Sequence, residues 1–389
     1  MFDFVYYTPT KVLFGKESEK KVGEIMSAQQ CSKVLIHYSN TARRTGLLEL
    51  VETALKEKQI SFVELGGVRA NPQLSLVREG IELCRKEKVD FVLAIGGGSA
   101  IDSSKAIACG TPNTEDIWEI WKHGTEITKG LPVGVILTIA AAGSEMSKSA
   151  VIVHDGEKVG YDSDFCRPRF SILDPQLTMT LSDFQTACGC VDIMMHTMER
   201  YFTSHPSMEI TDSISEALLR TVIKNAKILK EDPQNYEARA EIMWAGSLAH
   251  NDLTGCGNDG GDFVTHMMEG PLSGRFNTVH GAGLAAIWCS WARYVYKDCL
   301  PKFKRYALNV MQVSNTGSDE EIARKGIEET EMFYHTIGVP VSITEMGIHP
   351  SDEELEDIAG YVSNGGTVQV GSAKALGKEE LLEIYKRAR

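Results

Sequence analysis

The 389-residue sequence lacks the features that define several large classes of protein. No apolar run reaches the roughly 20 residues that a helix needs to cross a bilayer. The N-terminus lacks the charged start and long apolar core of a signal peptide. No stretch is strongly basic, and the formal net charge is −13 at pH 7. Because nucleic-acid phosphates require a basic face, we expect neither a nucleic-acid partner nor a membrane span.

The cysteines do not form a recognisable metal or disulfide framework. All nine are scattered along the chain, and no two of them form a CxxC pair. Cys188 and Cys190 are too close together for the usual zinc knuckle. Free thiols in a reducing compartment are the simplest interpretation, so we expect a cytoplasmic protein.

The order of apolar runs predicts two domains of different type. Before residue 180, β-rich runs alternate with amphipathic helices, which is typical of an α/β domain with a doubly wound, mostly parallel sheet. After Asp183 the pattern is helical nearly to the end, so we assign residues 1–180 to the sheet domain and 181–389 to an all-α domain. The predicted strands are Lys33 to Tyr38, Ser61 to Leu65, Phe91 to Ile95, Val133 to Leu137 and Phe170 to Leu173. The predicted helices span 183–203, 209–230, 236–255, 280–297, 320–336 and 379–387.

Three consecutive glycines, Gly96 to Gly98, follow the third predicted strand. Glycines let a backbone approach a phosphate closely, and a helix that starts directly after them would point free amides at an anion. We predict Ser99 as the N-cap of this helix, with Asp102 completing a capping box. The segment matches neither GxGxxG nor a Walker loop, and a simple tight turn remains the alternative.

A second candidate site lies in the predicted helical domain. Asp192 and His196 are one helical turn apart, and His266 and His280 follow downstream. Three imidazoles and one carboxylate suit a borderline divalent metal such as iron, zinc, cobalt or nickel better than calcium or magnesium. The alternative is that these are ordinary hydrogen-bonded core residues, since an Asp and a His four apart often occur by chance.

Several motifs, in one order along essentially the whole chain, resemble the iron-containing alcohol dehydrogenases, and within them the branch of butanol dehydrogenases and aldehyde reductases. The motifs are PTKVLFG at 9–15, GGGSxxDxxK at 96–105, GSEM at 143–146, ILDP at 172–175 and GxxDxxxHxxE at 189–199. The resemblance implies hydride transfer between a nicotinamide and a short-chain alcohol or aldehyde. A bound metal would act as Lewis acid, and no side chain is assigned as catalytic.

The resemblance also implies roles for individual residues. The metal, most commonly Fe²⁺ with Zn²⁺, Co²⁺ or Ni²⁺ as alternatives, would be held by Asp192, His196, His266 and His280. The cofactor pyrophosphate would lie on Gly97, Gly98 and Ser99, with further cofactor contacts from Asp102, Thr138, Asn71 and Lys158. The N-terminal strands of the family commonly help to form a dimer, so a homodimer is expected.

The residues after the first predicted strand bear on the choice of cofactor. Ser39 and Asn40 stand where an NAD-preferring enzyme would place a carboxylate against the ribose 2′-hydroxyl, and Arg43 and Arg44 follow. With no carboxylate to repel a 2′-phosphate, we predict binding at Ser39 and Asn40 and favour NADP(H) over NAD(H). The alternative is that the two arginines only begin a solvated helix.

Two positions depart from the family pattern. Gly270, followed by Pro271, replaces a second histidine, and Ala142 replaces a threonine near the cofactor. Because proline removes an amide hydrogen and clashes with the preceding turn, we expect the helix that carries His266 to end or kink there. These changes leave two alternatives open: a nucleotide- and metal-binding protein of the same fold with lost or altered activity, and a glycerol dehydrogenase-like enzyme.

Overall fold

A computed structural model describes residues 1–206 and 208–389. The chain forms two compact units, Tyr7–Leu181 (the sheet unit) and Met1–Tyr6 together with Ser182–Arg389 (the helical unit). The first six residues were predicted to belong to the sheet domain. They pack instead on the helical unit, where the Phe2 N–H donates to the carbonyl of Gly257 at 3.0 Å. No helix among the described residues is both long and apolar enough to cross a membrane.

The sheet unit contains a six-stranded parallel sheet and a separate antiparallel hairpin. Its strands are β1 (Lys11–Phe14), β2 (Lys33–Tyr38), β3 (Ser61–Leu65), β4 (Phe91–Gly96), β5 (Val133–Leu137), β6 (Ser149–His154), β7 (Glu157–Asp162) and β8 (Phe170–Leu173). The sheet order is β1-β8-β5-β4-β2-β3, and β6 pairs with β7. The five predicted strands are confirmed, and β1 and the hairpin were not predicted. The helices are α1 (Val22–Ala28), α2 (Asn40–Arg44), α3 (Leu47–Glu57), α4 (Leu74–Glu87), α5 (Gly98–Gly110) and α6 (Ile117–His123).

The central strands of the sheet, which lead to the glycine turn, are buried and closely packed. Every residue of β4 and of β5 is buried, as expected for parallel strands covered on both faces. Gly134 on β5 leaves room for the Phe170 ring of β8, because an added Cβ would lie 2.4 Å from that ring. The ring stacks against Phe91 of β4 with centroids 5.9 Å apart. The aromatic pair therefore packs at the start of β4, and the buried strand leads from there to the glycines at its other end.

The helical unit is built on one buried helix, α7 (Asp183–Tyr201), in which every residue from Thr186 to Tyr201 is buried. The other helices are α8 (Glu209–Glu231), α9 (Tyr236–Ala249), α10 (Val264–Phe276), α11 (His280–Val295), α12 (Leu300–Asn309), α13 (Asp319–Ile337), α14 (Asp352–Val362) and α15 (Lys378–Ala388). The six predicted helices are confirmed, although α9 ends at Ala249 rather than at 255. Helices α12 and α14 were not predicted, and α10 was expected only as the helix that carries His266, without bounds.

Helix α10 corrects one expectation. It continues through Gly270 and Pro271 to Phe276, so it does not end at the proline, which was one of the two expected outcomes. A proline inside a helix removes one backbone hydrogen bond. Burial on both sides of the proline, with Met268 and Leu272 fully inaccessible to solvent, keeps the helix intact.

A buried histidine in the sheet unit ties two strands to α5. The Nδ1 atom of His37 lies 2.8 Å from the carbonyl oxygen of Leu65, and its Nε2 lies 2.7 Å from the Ser103 hydroxyl. Because a carbonyl only accepts, Nδ1 carries the proton and Nε2 accepts from Ser103. Burial lowers the pKa of His37 to about 4, so the imidazole is neutral at physiological pH.

We predict that His37 makes the sheet unit less stable in mild acid. The folded-state pKa lies below the unfolded value of 6.5, so the contribution is complete above pH 6.5 and is lost as the pH falls toward 4. At pH 5 the loss is about 2 kcal/mol. Urea unfolding at pH 7 and pH 5 should show a smaller decline in the free energy of unfolding for His37→Asn than for the parent. Equal declines would contradict this account.

Candidate metal centre and cofactor site

Four side chains converge in the helical unit. Asp192 and His196 come from one face of α7, His266 from α10, and His280 from the first residue of α11. The Asp192 Oδ1 atom lies 3.2 Å from His196 Nδ1, 3.5 Å from His266 Nε2 and 3.7 Å from His280 Nε2. The structure thus brings together all four residues that were predicted as metal ligands.

The polar atoms at the centre of this cluster fit a cation. Asp192 Oδ1 and His266 Nε2 are buried and accept no hydrogen bond from any described residue. An unpaired buried polar atom costs about 1–3 kcal/mol. A divalent ion ligated by both atoms would remove that cost, and the set of three imidazoles and one carboxylate suits iron, zinc, cobalt or nickel.

Two buried glutamates orient the downstream histidines. The Glu199 carboxylate accepts the backbone N–H of His266 at 3.0 Å through Oε1 and contacts its Nδ1 through Oε2. Glu269 Oε2 lies 2.5 Å from His280 Nδ1. Both carboxylates are completely inaccessible to solvent. Each therefore fixes the proton on Nδ1 and leaves Nε2 free to bind a metal, an arrangement common around metal-binding histidines.

Neither glutamate was among the predicted site residues. Glu199 is the last residue of the GxxDxxxHxxE motif, and Glu269 lies three residues after His266. The available signal was a charged residue within an otherwise apolar helical stretch. His250 was also missed, and its ring stacks on His196 with centroids 4.2 Å apart. The His196 Nδ1 lies 2.9 Å from the carbonyl of Asp192, so it donates there and Nε2 keeps its lone pair.

The electrostatics of the cluster favour positive charge. Burial opposes ionisation of Asp192, but the surrounding imidazoles hold its pKa well below the usual range. Burial likewise opposes protonation of His266, but the Glu199 and Asp192 carboxylates raise its pKa to about 10. The same carboxylates would attract a metal cation at the centre of the cluster.

We predict that Glu199→Gln weakens metal binding without unfolding the protein. Loss of the charge that orients His266 should lower the affinity for Zn²⁺ or Co²⁺ by roughly 10- to 100-fold. Competition with a chromophoric chelator measures this affinity directly. Glu216→Gln is the matched control, because Glu216 is also a buried carboxylate but bonds to Tyr201 and Arg305. Equal affinities in the two variants would refute the role of Glu199.

The glycine turn of the sheet unit is packed too closely for side chains. A Cβ added to Gly96 would lie 2.6 Å from the Cβ of Ala100, and one added to Gly97 would lie 2.8 Å from the Cβ of Ile139. Helix α5 begins at Gly98 with Gly97 as its N-cap, and no side chain caps it. The bare amides at the start of this 13-residue helix suit a pyrophosphate.

This geometry corrects the predicted capping box. Ser99 is the second residue of α5 rather than its N-cap, because the glycine backbone makes the turn by itself. Asp102 does not return to the helix start. Its Oδ1 accepts the Ser144 hydroxyl at 2.5 Å and its Oδ2 accepts the Val151 N–H at 3.0 Å. Asp102 therefore anchors the segment that leads into β6.

Lys105, also in the GGGSxxDxxK motif, supports the same segment. Its buried Nζ donates to the hydroxyl of Ser144 at 2.9 Å and to the carbonyls of Ser147 and Ser149 at 3.1 and 2.7 Å. Burial lowers the pKa of Lys105, and burial raises that of Asp102. Asp102 and Lys105 together fix residues 144–151 by hydrogen bonds.

The other predicted cofactor residues lie in three places. Ser39 and Thr138 lie on either side of the turn, because the Ser39 N–H donates to Ile95 at 3.0 Å and the Thr138 N–H to Gly96 at 2.9 Å. Asn71 and Lys158 flank Val153 of the hairpin: the Val153 N–H donates to Pro72, the residue after Asn71, and Val153 pairs with Lys158. Asn40 is the exposed first residue of α2. Ala142 packs against the turn, 3.2 Å from a Cβ built on Gly98.

A carboxylate does lie beside Arg43, although none follows β2 in the sequence. Glu64 reaches it from β3, and its Oε2 accepts from Arg43 Nη2 at 2.9 Å. Glu64 is distant from Arg43 in the sequence, but β3 lies beside β2 in the sheet. Arg43 is therefore one partner of an ion pair.

A doubly wound sheet with a glycine-rich anion turn, together with a helical unit that carries a three-histidine, one-aspartate cluster, defines a class of dinucleotide- and metal-dependent proteins. Comparison with known families agrees. Residues 9–175 match the iron-containing alcohol dehydrogenase model, and residues 186–389 match the C-terminal model of the same family. The chain belongs to the iron-containing alcohol dehydrogenase family.

The similarity to individual relatives extends over the full length. The chain is 41% identical to NADH-dependent butanol dehydrogenase A of Clostridium acetobutylicum, with 100% of both chains covered. It is 33% identical, again over 100% of both chains, to an NADPH-dependent aldehyde reductase of Escherichia coli. The crystal structure of an NADH-dependent butanol dehydrogenase A from Thermotoga maritima superimposes with a TM-score of 0.94 at 37% identity, covering 99% of this chain and 98% of that one.

Proposed function

We propose that this protein is a metal-dependent, NAD(P)-linked alcohol dehydrogenase or aldehyde reductase that acts on short-chain alcohols or aldehydes. The observation that carries the proposal is the cluster of Asp192, His196, His266 and His280, with two central atoms left unpaired. Relatives named as butanol dehydrogenases and as an aldehyde reductase support the substrate class.

In this reaction, the residues of the helical unit would hold the metal ion. When bound, a divalent ion would polarise the substrate oxygen as a Lewis acid and favour hydride exchange with the nicotinamide. Asp192 and the three histidines would hold that ion, and Glu199 and Glu269 keep two of the imidazoles in the binding tautomer. We propose Fe²⁺ as the native metal, and the same donors would accept Zn²⁺, Co²⁺ or Ni²⁺.

The cofactor would be held by the sheet unit. Gly97, Gly98 and Ser99 present backbone amides to the pyrophosphate, and Ser39 and Thr138 border the turn. We further propose contacts from Asn40, Asn71 and Lys158. Asp102 acts as an anchor for the adjoining segment, since both of its carboxylate oxygens already accept hydrogen bonds within the protein.

A spectrophotometric screen tests the proposed function. Metal-free protein is loaded with iron, zinc, cobalt or nickel, and NAD(P)H absorbance is followed with a panel of short aldehydes and with dihydroxyacetone. Turnover of the aldehydes that requires metal is the expected result. Turnover restricted to dihydroxyacetone would favour a glycerol dehydrogenase-like enzyme. Binding of metal and nucleotide with no turnover would favour a protein that has lost the activity.

We predict that Asp192→Ala removes metal and activity together. One oxygen of the aspartate lies within 4 Å of all three imidazoles, so its loss takes away both a ligand and the negative charge at the centre of the cluster. Elemental analysis should show less than a tenth of the metal of the parent, and activity should fall at least 100-fold. Full turnover by the metal-free variant would contradict the proposed role.

We also propose that the protein is a cytoplasmic homodimer. The residues from Met1 to Tyr6 expose a run of large apolar and aromatic side chains, including Phe4 at 49% and Val5 at 90%, which a second copy of the chain could cover. Light scattering after size-exclusion chromatography should give twice the chain mass of 42.8 kDa. A monomer at micromolar concentration would overturn the proposed dimer.

A further inference from the structure

We propose that Arg43 and Glu64 together set the discrimination between nucleotides that carry a 2′-phosphate and those that carry a 2′-hydroxyl. In this inference, Arg43 attracts the 2′-phosphate, and Glu64 weakens that attraction by neutralising the guanidinium. The inference rests on the proposed function, because it concerns the cofactor of that reaction.

The topology of the sheet puts these residues where the ribose is read. In doubly wound folds, the strand beside the glycine-turn strand ends next to the ribose of the bound nucleotide. Here that strand is β2, whose Tyr38 pairs with Ile95 of β4. The next residue, Ser39, packs beside the turn, with its Oγ 3.6 Å from a Cβ built on Gly96. Helix α2, which carries Arg43, starts immediately afterwards.

Three side chains form one cluster at this end of the sheet. Arg43 Nη2 donates to Glu64 Oε2 at 2.9 Å and also contacts the Tyr38 hydroxyl. The Tyr38 hydroxyl lies 3.3 Å from the same carboxylate oxygen, and the guanidinium carbon lies 5.1 Å from the centroid of the Tyr38 ring. Tyr38 is almost fully buried, at 4% exposure, and its ring packs against the backbone of Gly66. The buried Tyr38 ring therefore fixes the position of the cluster on the sheet.

The cluster remains open to a ligand. The Arg43 side chain is 60% exposed and that of Glu64 is 30% exposed. Both hydrogen bonds of Arg43 use Nη2, so the other N–H groups of the guanidinium can still donate to a phosphate. Arginine is well suited to this contact, since its planar fork can bind phosphate with two parallel hydrogen bonds.

The charge on Glu64 matters only to the phosphorylated nucleotide. A 2′-phosphate must compete with this carboxylate for the guanidinium and is also repelled by it, whereas a neutral 2′-hydroxyl is affected little. An exposed ion pair contributes roughly 0–1 kcal/mol, so the compensation of Arg43 is partial. The parent protein should therefore discriminate only moderately between the two nucleotides.

Calorimetric titration of the full-length, metal-loaded protein with 2′,5′-ADP and with 5′-AMP tests this inference. These probes share the adenosine and the 5′-phosphate and differ in the 2′-phosphate. Glu64→Gln should tighten binding of 2′,5′-ADP by about threefold to tenfold, and Arg43→Gln should weaken it by about tenfold, with 5′-AMP changed less than twofold. Both side chains are partly exposed, so neither change should prevent folding.

Two controls make the test specific. Arg44→Gln removes the same charge from the neighbouring, exposed position on α2 and should change 2′,5′-ADP binding less than twofold. In the Arg43→Gln background, Glu64→Gln should lose most of its effect, because Glu64 acts mainly through Arg43.

The outcomes separate this inference from the proposed function. If both nucleotides bind but none of the Arg43 and Glu64 variants alters the preference for 2′,5′-ADP, the inference is wrong and the proposed function is untouched. If Arg44→Gln weakened 2′,5′-ADP binding as much as Arg43→Gln, the effect would be general electrostatic attraction, and the inference would also be refuted. If neither nucleotide binds the parent protein, the inference and the proposed dinucleotide site fail together.

Discussion

The helical unit depends on the pairing of carboxylates with imidazoles inside it. Helix α7 is buried over its last four turns yet carries Asp192 and Glu199. A buried charge with no partner destabilises a fold by several kcal/mol. The partner of Glu199 is His266 on α10, and Glu269 of α10 is in turn paired with His280 on α11. The same contacts that satisfy the carboxylates therefore fix how three helices pack and leave imidazole Nε2 atoms facing Asp192.

The sheet unit also contains a buried charged residue, Lys105, that is satisfied by hydrogen bonds. Lys105 and Asp102 lie on the buried side of α5, and their hydrogen bonds go to the segment from Ser144 to Val151. Ala142, two residues before that segment, packs against the glycine turn, so the buried pair supports the proposed cofactor site without being part of its surface. In both units, residues of the family motifs support the site from behind as well as forming its surface.

The sequence predicted what depends on local pattern. Apolar runs located five strands, because buried parallel strands are continuously hydrophobic, and helical spacing placed Asp192 and His196 on one face. His266 and His280 are 14 residues apart, so no local rule places them beside Asp192, and they were grouped with it by their ligand chemistry and by the family resemblance. Glu199, Glu269 and Glu64 were missed for the same reason, since each meets its partner across the fold. Ser99 was misplaced because local rules favour a serine cap, whereas close packing at Gly96 and Gly97 makes the turn.

X-ray absorption spectroscopy at the zinc edge of the zinc-loaded protein tests most directly whether three imidazoles and one carboxylate share a single ion. If they do, the spectrum should show a nitrogen and oxygen shell at about 2.0–2.2 Å with the multiple scattering of three imidazoles. A sulfur shell near 2.3 Å, or a spectrum with no imidazole scattering, would show that they do not.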